Sequence, residues 1–269
     1  MSNKNTPYRT KKRFGQHFLH DRTIIDRIIN AAQLTAQQQV VEIGPGLGVL
    51  TDELLPRAAH VQVMEIDRDL IERLEKREDP RLTVQAGDVL KLEWRHFLDH
   101  PPYVLVANLP YNISTQVVFK LIDHRDLFSQ MVLMFQREVG ERLVASPGGK
   151  DYGILSVLSQ LWFDISTVTL VKPGAFTPPP RVDSIVLNFF PLKTPRVDPV
   201  DETLFKRVVK GAFTQRRKTI RNSFLASGFT AEEIDSALLF AGVSPVCRGE
   251  TLSLQNFSDL TRFFSQKIN

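Results

Sequence analysis

The stretch QVVEIGPGLGVLTDELL, residues 39–55, decides the fold. A short apolar run ends at Ile43, glycines follow at Gly44, Gly46 and Gly48, and a helical pattern begins behind them. That is a buried strand, a tight turn and a helix. The same unit recurs downstream. HVQVMEID (60–67) and RLTVQAGD (81–88) have strand character, RDLIERLEKRE (68–78) helical character, and YVLVAN (103–108) is another apolar strand. Strands that alternate with helices and are mainly apolar specify a parallel sheet covered on both faces. Upstream, Asp21 or Thr23 can cap a helix whose residues Ile24, Ile25, Ile28, Ile29 and Ala32 fall on one stripe. Further strands are expected at 131–136, 164–171 and 184–190.

The segment PLKTPRVDP (191–199) carries three prolines and reads as a linker, and the periodic segments beyond it (204–213, 220–227, 231–243 and 254–266) read as helices. The expected organisation is an α/β domain over 1–192, opening with a basic, flexible segment 1–20, followed by a small helical domain over 193–269. With 269 residues and 42% hydrophobic content the chain can fill such a core. No apolar run approaches the ~18 residues that span a bilayer, and none follows the basic start, so a cytoplasmic protein without a membrane segment is expected, acting as a monomer. Cys247 has no Cys or His neighbour at metal-ligand spacing, so neither a disulfide nor a metal is expected.

The net charge of +4 is unevenly spread. Lys4, Arg9, Lys11, Lys12 and Arg13 precede the first acid, and Lys206, Arg207, Lys210, Arg216, Arg217, Lys218 and Arg221 form a second acid-free block. Two such clusters suit a polyanion, because each neutralised phosphate releases condensed counterions.

In EIGPGLG (42–48) the glycines let the backbone turn sharply and a ligand approach without Cβ atoms in the way. Their G-x-G-x-G spacing departs from the G-x-G-x-x-G of dinucleotide binders, which turns the reading away from NAD. Glu65 ends the second strand, 21 residues beyond Gly44, where a carboxylate can accept both hydroxyls of a ribose. Asp88 ends the third, placed to accept from an adenine amino group. Singly, each acid could equally be a helix cap, Asp67 being the better cap beside Glu65; with the glycine loop, all converge on the ligand-binding carboxyl edge of one sheet. The fourth strand stops in ANLPYNIST (107–115), which sets an amide, a forced turn and an aromatic together at Asn108, Pro110 and Tyr111.

This layout resembles the class I S-adenosylmethionine methyltransferases, an α/β, Rossmann-like fold with a mostly parallel seven-stranded sheet and helices on both faces. Asn108-Leu109-Pro110-Tyr111 resembles the N/D-P-P-Y motif of enzymes that methylate exocyclic amines of bases. KRFGQHFL (12–19), EIGPGLG (42–48), NLPYNIST (108–115), FTPPPRVDS (176–184) and FTQRRKTIRNS (213–223) resemble, in order, the signatures of the KsgA-type small-subunit ribosomal RNA adenine dimethyltransferases, from about residue 9 to the C-terminus. The resemblance implies S-adenosyl-L-methionine as cofactor, with Gly44 and Gly46 at its methionine part, Glu65 on the ribose, Asp88 on the adenine amino group, Ile66 and Val89 flanking that ring, Asn108 alongside, and His17 and Leu19 in a segment closing over it. Many members carry asparagine where this chain has His17, so only a backbone contact carries over there. The implied substrate is two adjacent adenosines near the 3′ end of 16S rRNA in the immature 30S subunit, dimethylated late in biogenesis.

The chemistry fits those residues. An adenine amine is a poor nucleophile because its lone pair is delocalised into the ring. Acceptors at the Asn108 side-chain oxygen and the Pro110 carbonyl favour a pyramidal nitrogen and stabilise the positive charge that develops there. Tyr111 offers a face for a flipped-out base, and Phe176, ahead of Pro178-Pro179-Pro180, is expected as the second wall. No step requires His17 as a general base. Arg216, Arg217, Lys218 and Arg221 are assigned to RNA phosphates. The other readings are a DNA adenine methyltransferase, whose target atom is the same, and a non-catalytic assembly factor that kept the fold, against which intact Glu65, Asp88 and Asn108 speak.

Overall fold

A computed structural model of the chain describes Lys11 and residues 15–266; Lys4, Arg9, Lys12 and Arg13 of the basic start lie outside these. In chain order the strands are β1 (Phe18–Leu19), β2 (Gln39–Ile43), β3 (His60–Glu65), β4 (Leu82–Ala86), β5 (Tyr103–Asn108), β6 (Phe128–Gln136), β7 (Phe163–Val171), β8 (Phe176–Thr177) and β9 (Ser184–Pro191). The α-helices are α1 (Arg22–Ala32), α2 (Val49–Leu54), α3 (Arg68–Glu75), α4 (Ser114–Asp123), α5 (Arg137–Val144), α6 (Ile154–Trp162), α7 (Glu202–Ala212), α8 (Ile220–Ala226), α9 (Ala231–Phe240) and α10 (Leu254–Ser265).

Seven strands form one sheet in the order β4-β3-β2-β5-β6-β9-β7. Strands β2 to β6 pair in parallel, and β9 joins antiparallel to β6 with Met134 opposite Val186. Parallel strands are reached through crossovers that place helices on the sheet faces, so central strands must be apolar throughout. Accordingly Val40, Val61, Val63, Val104, Leu105 and Val106 are fully buried, whereas β4, at one edge, is only partly covered. This is the Rossmann-like architecture expected. Helix α1 starts where Asp21 accepts from the Ile24 amide at 3.2 Å and buries the stripe Ile24, Ile25, Ile28, Ile29 and Ala32. The two-residue pair β1–β8 sets Phe18 opposite Thr177 and Leu19 opposite Phe176; strands this short carry no periodic signal.

The chain divides into two compact units. One comprises residues 1–140 and 166–190, the other Glu141–Ile165 and Pro191–Asn269. The second unit thus takes in a stretch that sequence reading assigns to the first domain. The physical reason lies in its contacts: the Tyr152 ring meets that of Phe213 6.2 Å away, and Gly148 N–H donates to Glu250 O at 2.7 Å. A chain of aromatic contacts runs through Phe205, Phe257 and Phe213, and another through Phe224, Phe229 and Phe264. Helices α7 to α10 each begin with a side-chain cap, from Asp201, Thr219, Thr230 and Ser253. The expected linker is anchored on α6, Leu192 N–H donating to Trp162 O and Arg196 N–H to Leu161 O, both at 2.9 Å. Among the described residues no helix is long and apolar enough to cross a membrane.

Leu105 is buried in the strand that ends at Asn108. Leu105→Ala is expected to cost about 2–5 kcal/mol by loss of transfer free energy and cavity formation, measured by chemical denaturation.

Candidate active site

The glycine turn follows directly on β2 at the carboxyl edge of the sheet. Gly44 N–H donates to Met64 O at 2.9 Å, tying the turn to β3. Gly46 has φ +59°, and a Cβ there would stand 3.0 Å from the Phe18 ring, so both backbone shape and the close N-terminal segment require glycine. Arg77 holds the turn from outside, its guanidinium reaching Leu47 O at 3.1 Å and pairing with Asp52.

Glu65 is buried beneath this turn. Its Oε1 accepts from the amides of Ile66 and Asp67, both at 2.9 Å, and its Oε2 from Gly46 N–H at 3.3 Å. Burial raises the carboxyl above its ordinary range, and these donors pull the other way. Asp88 Oδ1 accepts from Leu90 N–H at 3.0 Å. Asp67 caps α3 through Asp69 N–H, leaving Glu65 to the cavity edge.

A cavity of about 320 Å³ lies along this edge. It gathers His17, Leu19, Gly44, Gly46, Glu65, Ile66, Asp88, Val89, Asn108, Pro110 and Tyr111, residues drawn from five separate stretches of chain. One expected residue is absent from its wall. Phe176 is 2% exposed and belongs to the hydrophobic core, so the second stacking wall assigned to it is corrected. Pairing with Leu19 in β1–β8 turns its ring inward, while Thr177, Pro178 and Pro179 stay exposed.

The motif at the end of β5 is held at each of Asn108, Leu109, Pro110 and Tyr111. Leu109 is buried and donates its N–H to Met134 O at 3.3 Å; Pro110 O accepts from Ile113 N–H at 3.2 Å, which orients that carbonyl and leaves it a second lone pair. Asn108 Nδ2 donates to His17 O at 3.1 Å, and no other side-chain bond to Asn108 is formed among the described residues. The Tyr111 hydroxyl and Ser184 Oγ lie 2.5 Å apart. The N-terminal segment is fastened on its other side by Gln16 Nε2 to Asp67 Oδ2 at 3.1 Å and Lys11 Nζ to Asp67 Oδ1 at 2.5 Å.

Sequence reasoning missed Glu42. It lines the cavity at 1% exposure and accepts from Thr51 Oγ1 at 2.6 Å; an acid inside the apolar run QVVEI was the available signal. In the helical unit, the four basic residues assigned to phosphates divide. Arg216 Nη2 donates to Lys150 O and Tyr152 O at 2.8 and 2.9 Å, and Arg221 forms a two-point bond with Asp235 at 2.6 and 2.9 Å. Arg217 and Lys218 are exposed and make no ion pair among the described residues.

Residues 8–265 match the family model described as ribosomal RNA adenine dimethylase. The chain is 57% identical over 255 residues to the ribosomal RNA small subunit methyltransferase A of Syntrophotalea carbinolica, covering 95% of this chain and 97% of that protein. Among solved structures it is similar to a dimethyladenosine transferase from Plasmodium falciparum, with TM-score 0.79 and 30% identity over 93% of this chain and 98% of that one. It is also similar to the 23S rRNA methyltransferase ErmE, with TM-score 0.68 and 27% identity over 93% of this chain and 100% of that one.

Burial pushes the Glu42 carboxyl up from its ordinary 4.5 to about 8. The folded state therefore keeps a proton that the unfolded chain releases. This contribution to stability is complete below the unfolded value and is lost as pH rises through the folded one. Glu42→Gln is expected to flatten the decline of stability between about pH 4.5 and 8, checked by denaturant titrations across that window; an unchanged slope would place the titration elsewhere.

Proposed function

From the premise that this chain belongs to the ribosomal RNA adenine dimethylase family, we propose that it transfers methyl groups from S-adenosyl-L-methionine to the exocyclic amines of two adjacent adenosines near the 3′ end of 16S rRNA, working as a cytoplasmic monomer on the immature 30S subunit. Adenine methylation of small-subunit rRNA follows from the family; the proposal adds the cofactor, the adenosine pair and the residue roles.

The observation that carries it is the state of the Asn108 amide. Its nitrogen is taken up by His17 O, so its oxygen is the end left without a side-chain bond among the described residues, and Asn108 and Pro110 both line the cavity. Two acceptors without full negative charge suit an amine that must become pyramidal and carry positive charge in the transition state. Tyr111 supplies a stacking face, worth roughly 1–3 kcal/mol on the general scale for base–aromatic contacts. A second transfer to the same nitrogen leaves one acceptor facing a methyl group in place of a hydrogen.

The residues of the cavity suit the cofactor by their chemistry. Gly44 and Gly46 give a cradle without Cβ atoms, Glu65 and Asp88 present carboxylates at adjacent strand ends, and the exposed Ile66 and the buried Val89 offer apolar surface to a ring. When bound, the cofactor supplies an electrophilic methyl on a sulfonium. Glu65 would hold the ribose hydroxyls, and Asp88, with Oδ1 already engaged by Leu90, would accept from the adenine amine through Oδ2.

For RNA, the reading assigns phosphate contacts to the exposed Arg217 and Lys218, with Arg216 and Arg221 as their frame. Such contacts position a substrate without reading its bases.

Asn108→Ala is expected to lower methyl transfer to unmethylated small subunits by about 10²-fold or more. Cofactor affinity should stay within a few-fold by calorimetry; equal loss of both would make Asn108 a cofactor residue only. Removing Arg217 and Lys218 together should reduce the salt-dependence slope of subunit binding by roughly 1.5–2 units, whereas Arg216→Ala should chiefly lower stability. An unchanged slope in the double variant would remove the phosphate assignment.

A further inference from the structure

Among the described residues His17 makes three polar or ring contacts, two of them to the amine-side residues Asn108 and Tyr111. Its carbonyl oxygen accepts from Asn108 Nδ2 at 3.1 Å. Its ring is stacked on that of Tyr111, with centroids 5.6 Å apart and planes 26° from parallel. Its Nδ1 lies 2.7 Å from the Pro178 carbonyl oxygen. That oxygen can only accept, so Nδ1 carries the proton. Among the described residues no side-chain bond of His17 reaches Glu65, Asp88 or the glycine turn.

We propose that His17 is a positioning residue for the target adenine: its backbone carbonyl, which any residue at 17 would supply, sets which end of the Asn108 amide faces the amine, and its imidazole, the part that the variants below remove, backs the ring on which the base stacks. The proposal rests on the roles given above to Asn108 and Tyr111. An asparagine amide can turn over, exchanging acceptor for donor. Turned over, Asn108 would set its oxygen against the His17 carbonyl and present NH₂ to an amine, opposing like groups on both sides. The His17 carbonyl therefore selects the productive orientation. Tyr111 is fixed at its hydroxyl by Ser184 and on one face by the imidazole, so the other face is ready for a base without further ordering. The bond to Pro178 holds the imidazole in turn, beside the β1–β8 pair that joins the two segments. An imidazole combines a flat face with an N–H donor. Asparagine keeps only the donor, and alanine neither.

The test measures methyl transfer from labelled S-adenosylmethionine to unmethylated small ribosomal subunits, with calorimetric cofactor affinity for each variant. His17→Ala is expected to lower kcat roughly 5- to 10-fold, the effect of one lost polar or stacking contact, with cofactor Kd within about twofold. His17→Asn should recover part of that loss, and supplies the same comparison should His17→Ala not fold. In a Tyr111→Ala background, His17→Ala should cost less than about twofold more, because the ring it supports is gone. Cofactor Kd that weakens in step with kcat/KM overturns the proposal and returns His17 to the cofactor. Losses that multiply, with Tyr111→Ala itself costly, overturn the proposal alone. A Tyr111→Ala variant of undiminished activity overturns both the stacking role of Tyr111 and this inference.

Discussion

The ligand edge depends on one buried carboxylate. Glu65 takes three backbone donors, two from the chain just beyond β3 and one from the glycine turn after β2, and so joins two crossovers at a single side chain. Burying a carboxylate without partners costs several kcal/mol. The donors reduce that cost, yet burial still wins, since the carboxyl lies above its ordinary range. The balance has a structural result. The turn is fixed from inside by Glu65 and from outside by Arg77, and the glycines between them expose backbone to the cavity.

The N-terminal segment completes this edge. Gln16 and Lys11 reach Asp67, Phe18 lies against Gly46, and Leu19 pairs with Phe176 across β1–β8. Asp67 thus caps α3 and anchors the segment with the same carboxylate, which keeps Glu65 free of the capping role. The segment consequently lines one cavity together with the glycine turn, Glu65, Asn108 and Tyr111.

The helical unit works differently. Its aromatic contacts and four capped helices make a small core that places a basic stretch between α7 and α8 on the surface. Charge alone does not define a binding face there. Arg216 spends its guanidinium on carbonyls of the 150–152 loop, and Arg221 spends its own on Asp235, so a run that looks uniform in sequence holds two kinds of residue.

The sequence by itself determined the sheet, the glycine turn and the strand-end residues Glu65, Asp88 and Asn108. Period and apolar runs encode burial, and a parallel sheet brings every strand end to one edge, so position in the chain becomes position in the site. It also marked Pro110 and Tyr111, because a turn directly after a buried strand has few conformations open to it. Tertiary structure alone decided the rest. Phe176 follows an alanine and precedes a run of prolines, which reads as exposed, yet a two-residue pairing with a segment far away in the chain buries its ring. Residues 141–165 join the helical unit through Tyr152 and Gly148, contacts that no local pattern announces. The same holds for the Asn108 amide and for Arg216: local pattern specifies whether a side chain is buried and on which face, but the distant carbonyl that it meets exists only once the chain has folded.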